Sequence, residues 1–237
     1  MLRELENIIN KKNFNINEQR IFNKIHIQSK SFIYIVKKNI NKNGLKVSEN
    51  IKKFNKIVEL NLNNCGLDIL PDSFDNLINL KNLNLKENKL KTLPDSFRGL
   101  KSLKILDLED NYLASLPRSF SKLKSLQILN LCDNLFTDFP EPILKMENLQ
   151  TLDLSNNKLT ALPDFSGNLI NLKKLNLENN RLTVLLKSFC ELQSLKKLDL
   201  SLNKLKTLPK SFDHLIKLKK LYLEANELIN LSEILCN

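Results

Sequence analysis

At 237 residues the chain has room for one large domain or two small ones, and its composition, 42% apolar and 6% aromatic with no Trp, is that of an ordinary globular protein. No stretch approaches the ~18 consecutive apolar residues that a spanning helix requires, the longest candidate being Phe32 to Val36. The formal charge of +11 weakens as a nucleic-acid signal once located: residues 1–56 hold 13 Lys and Arg against 4 Asp and Glu, whereas residues 57–237 hold 24 against 22.

The N-terminal segment, residues 1–56, reads as a basic cap. Leu2, Leu5 and Ile9 suit a short helix, and Ile21, Phe22, Ile25, Phe32, Ile33 and Val36 suit a longer one, although SFIYIV alternates well enough for a strand. Gly44 is a stop signal, and Leu45 and Val47 alternate as a cap strand beside Val58 to Leu62 would. The start, MLRELENIINKKN, has neither a long apolar core nor a small-residue cleavage site, so a cytoplasmic protein is expected. Lys37, Lys38, Lys42, Lys46, Lys52, Lys53 and Lys56 give this segment a second reading, as a binder of anionic surfaces or nucleic acid, whose hold would weaken steeply with salt.

From Ile57 onward the chain repeats every 23 residues without insertion. Units open at Ile57, Leu80, Leu103, Leu126, Leu149, Leu172, Leu195 and Leu218, the last incomplete. Each opening is followed by leucines three and five places later, as in Leu106 and Leu108 or Leu152 and Leu154. Eight places on comes Asn88, Asn111, Asn134, Asn157, Asn180, Asn203 or Asn226, with Cys65 in the first unit.

This pattern, L-x-x-L-x-L-x-x-N-x-L, resembles the leucine-rich repeat. The second half, L-P-x-x-F-x-x-L, is similar to the 23-residue Ras-group subclass of intracellular repeats. The resemblance covers about 180 residues and implies an α/β solenoid: a horseshoe with a curved parallel sheet on its concave face and short helical or extended turns on its convex face. It also implies a scaffold in signal transduction that holds a protein on the concave side, with a small GTPase or its effector as the partner.

Elementary physics accounts for each position. The leucines of the -x-L-x-L-x- core alternate with period two, so they point inward and their neighbours outward. Strands stacked at about 4.8 Å make eight units roughly 35 Å along the arc, and each leucine buried from both sides gains about 1.5–3 kcal/mol over exposure. The Asn side chain offers two donors and an acceptor where the backbone leaves the strand, so its column can bridge neighbouring coils. Pro71, Pro94, Pro117, Pro140, Pro163 and Pro209 set φ for the return, and Phe74, Phe97, Phe120, Ile143, Phe189 and Phe212 fill the convex side of the core.

Two units depart from this scheme. Repeat five has Phe165 one place early and Ser166 in the Phe slot, so its outer turn is expected to re-form around Gly167. Repeat six has Leu186 for Pro in an apolar Val184-Leu185-Leu186 run, which suits local repacking better than a binding hot spot. Repeat eight stops at SEILCN with little to cover Leu228 and Leu231, which suits a fragment, a minimal self-cap or an edge that pairs with another molecule.

The outward strand residues are not dictated by the fold. Ile105 and Ile128 lie mid-arc beside Asp107, Glu109, Asn130 and Asp133; Thr151 and Asp153 follow; Lys174, Lys197, Asp199, Lys220 and Tyr222 lie toward the C-terminal end. An apolar centre with a charged rim suits a protein partner. An enzyme is not expected. The four glycines form no phosphate-binding loop, and His26 and His214 lie far apart without a nucleophile pattern. Cys65, Cys132, Cys190 and Cys236 form no C-x-x-C pair, so neither a metal nor any other cofactor is expected.

Overall fold

The computed structural model describes residues 57–70, 74 and 77–229. The cap helices and cap strand expected in residues 1–56 lie outside these, as do Pro71, the basic cluster from Lys37 to Lys56, and Leu231.

Eight three-residue strands form one parallel sheet in sequence order: β1 (Glu59–Asn61), β2 (Asn82–Asn84), β3 (Ile105–Asp107), β4 (Ile128–Asn130), β5 (Thr151–Asp153), β6 (Lys174–Asn176), β7 (Lys197–Asp199) and β8 (Lys220–Tyr222). Equivalent residues of neighbouring repeats pair directly, as in Leu83 with Leu106 and Leu106 with Leu129. The central leucine is buried in β1 through β7 and half-buried in β8, where the stack has a neighbour on one side only among the described residues. The second inward leucine, from Leu62 through Leu200, is fully enclosed. The repeat thus becomes a solenoid because one coil cannot cover its own leucines and the next coil can.

Polar bridges fix the spacing of the coils. Asn88 accepts the Cys65 and Leu67 N–H groups at 3.0 Å and donates to the carbonyls of Leu62 (2.9 Å) and Leu85 (2.7 Å). The same cross-coil pattern recurs through Asn226. In the first unit the Cys65 thiol lies 3.7 Å from the Asn63 carbonyl of its own coil. The residue just before each of these positions has a left-handed backbone: Asn64, Glu87, Asp110, Asp133, Asn156, Asn179, Leu202 and Ala225 have φ between 49° and 55°.

The convex side carries 3-10 turns at Asp95–Gly99, Arg118–Lys122, Glu141–Lys145, Lys187–Glu191 and Lys210–His214. Leu186 enters its turn at φ −69° and ψ 155°, close to the −65° and 149° of Pro117, so the missing proline changes composition but not conformation. The aromatic rings form two runs: Phe74, Phe97 and Phe120 stack at 5.9 and 6.4 Å, while Phe139, Phe165 and Phe189 meet edge-on at 5.5 and 5.8 Å. Repeat five forms no 3-10 turn. Phe165 still reaches the core from its early position, because the chain turns through positive φ at Gly167 (69°) and Leu169 (49°). Asp164 secures that turn by accepting the Ser166 N–H at 2.9 Å, and Glu191 of the next repeat accepts the Gly167 N–H at 3.2 Å.

Candidate functional site

The concave face is built by the two outward residues of each strand and the outward residue that follows. The first row runs Glu59, Asn82, Ile105, Ile128, Thr151, Lys174, Lys197 and Lys220, all in direct cross-strand register. The second row runs Asn61, Asn84, Asp107, Asn130, Asp153, Asn176, Asp199 and Tyr222. Every strand residue selected from the sequence therefore lies in one of two continuous rows. Glu109 continues the face in the loop after β3, and Asp133 sits beyond β4 on the left-handed turn.

The first row supplies the apolar centre. Ile105 and Ile128 are register partners and remain 37% and 38% exposed, with no fold-internal reason for an aliphatic side chain there. The second row is partly committed to the fold. Asp107 accepts the Glu109 N–H at 3.1 Å, Asn130 that of Cys132 at 3.1 Å, Asp153 that of Ser155 at 2.9 Å and Asp199 that of Ser201 at 3.1 Å. One side-chain oxygen of each closes the chain as it leaves the strand, and in two of them the other half of the group is bonded as well, the Asn130 amide to Glu109 at 3.0 Å and the second Asp153 oxygen to the Asn176 amide at 3.0 Å. Sequence reasoning took these residues as free outward groups and missed this duty. The signal was present, since all members of the row but Tyr222 are Asn or Asp.

Mid-arc acids are held in a network. Glu109 accepts the Lys86 ammonium at 2.7 Å and the Asn130 amide at 3.0 Å, and the Glu109 contact raises the Lys86 pKa. Burial raises the Asp107 carboxyl above its ordinary value of 3.8. The Cys132 thiol donates to Asp133 at 3.1 Å, and the Asn156 amide reaches the same Asp133 oxygen at 3.1 Å. Glu109, Cys132 and Asp133 thus bring three donor atoms within 4.8 Å of one another, a grouping that linear motif reading does not see. Burial pushes the Cys132 thiol up to about 12, which keeps it a donor to Asp133.

At the C-terminal end Lys174, Lys197 and Lys220 stand side by side, and the Lys197 ammonium lies 5.2 Å from the centre of the Tyr222 ring. Sequence reasoning missed the lysines immediately before them, Lys173, Lys196 and Lys219, and the exposed Leu202.

Residues 30–158 match the family described as leucine-rich repeat region, residues 170–228 the leucine rich repeat, and residues 147–188 a two-copy version of it. The chain belongs to the leucine-rich repeat family. An LRR protein of Leptospira interrogans is 36% identical with a TM-score of 0.61, over 76% of this chain and 52% of that one, so the match spans about half the Leptospira protein. Internalin C2 of Listeria monocytogenes is 25% identical with a TM-score of 0.70, over 88% and 89%. Toll-like receptor TLR13, solved as a complex with a single-stranded RNA, is 34% identical with a TM-score of 0.67, over 73% and 26%. No curated protein sequence matches. Among the described residues no helix is long and apolar enough to cross a membrane.

Proposed function

We propose that this chain is a non-enzymatic scaffold that binds a protein partner on its concave face. Leucine-rich repeat domains are generally protein-interaction scaffolds, and the observation that carries the reading here is the exposed Ile105–Ile128 pair at mid-arc, with Asp107, Glu109 and Asp133 toward the strand exits. Aliphatic side chains left in water on a rigid strand row, within a polar rim, have the layout of an interface centre. The finer reading is Ras-group membership in the cytoplasm, with a small GTPase or its effector as partner. Its support is the 23-residue L-P-x-x-F-x-x-L period and the free thiols of Cys132 and Cys190.

The test is affinity capture with the full chain against an Ile105→Glu/Ile128→Glu variant of equal stability. The variant is expected to lose at least about tenfold of its captured partner, as two buried anchors would. Unchanged recovery removes the pair from the interface. The GTPase reading adds that recovery depends on whether the partner is loaded with GTP or GDP.

A second reading, binding to nucleic acid or an anionic surface through residues 1–56, has the charge of that segment behind it, and TLR13 with its RNA shows a similar arc in such a complex. RNA or acidic-vesicle binding that survives deletion of residues 1–56 in a folded chain contradicts that assignment.

A further inference from the structure

We propose that the C-terminal third of the concave face docks an acidic peptide segment of the partner, one that carries an apolar side chain, on the paired lysines of β6 to β8 together with Leu202 and Tyr222. The proposal rests on the concave-face reading above and narrows it to one patch and one partner chemistry.

Each of the last three strands is entered through a lysine pair: Lys173–Lys174, Lys196–Lys197 and Lys219–Lys220. The second members are direct register partners, so like charges stand on adjacent strands about 4.8 Å apart, an arrangement that disfavours the sheet. Among the described residues none of the six has a carboxylate within ion-pair distance, in contrast to Lys86 with Glu109. Lys173 reaches only the Gln150 side chain, at 2.9 Å. Of the concave acids of the same coils, which lie on the other flank, Glu224 accepts the Ser201 hydroxyl at 2.7 Å and Asp199 the Ser201 N–H, while Glu178 is bonded through its backbone. The stack does not need lysine here, since equivalent positions hold Asn82, Ile105, Ile128 and Thr151.

Two further departures fall in the same coils. The left-handed position before each bridging Asn holds Asn, Asp or Glu in the first six units, but Leu202 in the seventh, at φ 55° and 47% exposed. A branched apolar residue in that backbone region is strained by roughly 1–2 kcal/mol, and an exposed one recovers nothing by burial. Tyr222, likewise, stands where all other units place Asn or Asp. Leu202 donates its N–H to the Glu224 carbonyl at 2.8 Å, which sets it at the exit of β7 beside β8. Two polar positions have thus become large and largely apolar: Tyr222 under the Lys197 ammonium, 5.2 Å from the ring centre, and Leu202 at the strand exit beside Glu224.

That combination selects the occupant. The lysine pairs span two strand steps, roughly 10 Å, which about four residues of extended chain cover. Carboxylates answer the lysines, and an aliphatic or aromatic side chain answers Leu202 and Tyr222. The chain's own N-terminal segment, with 13 Lys and Arg against 4 Asp and Glu, has the wrong sign to fill the patch.

The test measures binding of a fluorescein-labelled synthetic peptide, glutamates flanking a Leu-Phe pair, to the full chain by anisotropy. Saturable binding is expected, with at least tenfold loss in Lys174→Gln/Lys197→Gln/Lys220→Gln and in a peptide with Gln for every Glu. Leu202→Asn is expected to weaken binding severalfold while raising the denaturation midpoint, a divergence that a purely structural role does not produce. No saturation below about 1 mM, equal binding of the Gln peptide, indifference to the lysine variant, or tighter binding of a single-stranded RNA of equal charge each overturns the proposal. So does peptide release that accompanies concentration-dependent dimerisation, which would mark a second copy as the occupant. Ile105→Glu/Ile128→Glu must retain the peptide. If it does not bind yet that variant still loses the captured partner, the patch alone falls; if partner capture ignores both sets of substitutions, the concave-face reading falls with it.

Discussion

Asn111 ties two coils together: its Oδ1 accepts the Leu90 N–H at 3.0 Å, and its Nδ2 donates to the Leu85 carbonyl at 3.0 Å and the Leu108 carbonyl at 3.1 Å. The groups it serves are buried and have lost water. Asn111→Ala is expected to cost about 1–3 kcal/mol by urea unfolding. Asn226→Ala should cost less, because that amide makes the same bonds in a half-exposed coil. Equal costs at the two sites would contradict the burial argument.

Gly167 isolates the backbone term. A Cβ there would meet nothing within 4 Å, but the residue sits at φ +69°. Gly167→Ala should therefore destabilise by roughly 1–2 kcal/mol through conformation alone, and Gly167→Asn by less, since Asn tolerates that region. A neutral alanine substitution would show that the turn relaxes around it.

Burial raises the Asp107 carboxyl above its ordinary 3.8. The folded chain then binds more protons than the unfolded one between the two values, so stability falls as pH rises through that interval and stays lowered above it. Asp107→Asn removes the charge and keeps an oxygen for the Glu109 N–H, as Asn84 does for Lys86 at 2.9 Å. The variant is expected to exceed wild type modestly at pH 7, since solvent screens a half-exposed group, with the gap closing as pH drops below 3.8. A gap that persists in acid would point to some other cause.

The inward leucines, the bridging Asn column and the re-formed turn at Gly167 were all legible in the sequence, because a 23-residue period writes burial directly into residue type. What stayed hidden depends on how the chain leaves each strand. Asp107, Asn130, Asp153 and Asp199 read as free outward groups, yet each closes a turn with one oxygen. Leu202 carries no signal in the repeat pattern, and only its φ of 55° shows the strain. Glu109, Cys132 and Asp133 converge only across neighbouring coils. Leu186 shows the reverse limit: the sequence marks a missing proline where the backbone is unchanged.

Cys132 offers a chemical readout of the mid-arc. Burial pushes its thiol up to about 12, and the Asp133 carboxylate that accepts the thiol proton adds to the rise. Peptide-resolved alkylation of Cys132 should be slow at pH 8 and climb about tenfold per unit through pH 11, because only the thiolate reacts. Asp133→Asn should move the profile to lower pH. A plateau already reached at pH 9 would show that the thiol is neither buried nor paired as described.

The most direct measurement compares partner affinity across the two faces of the arc, with Ile105→Glu/Ile128→Glu on the concave sheet and Lys122→Glu/Lys145→Glu on exposed convex turns. The account predicts at least about tenfold weaker binding from the concave pair and less than twofold change from the convex pair, with both variants folded. Loss from the convex pair and retention by the concave pair would contradict it.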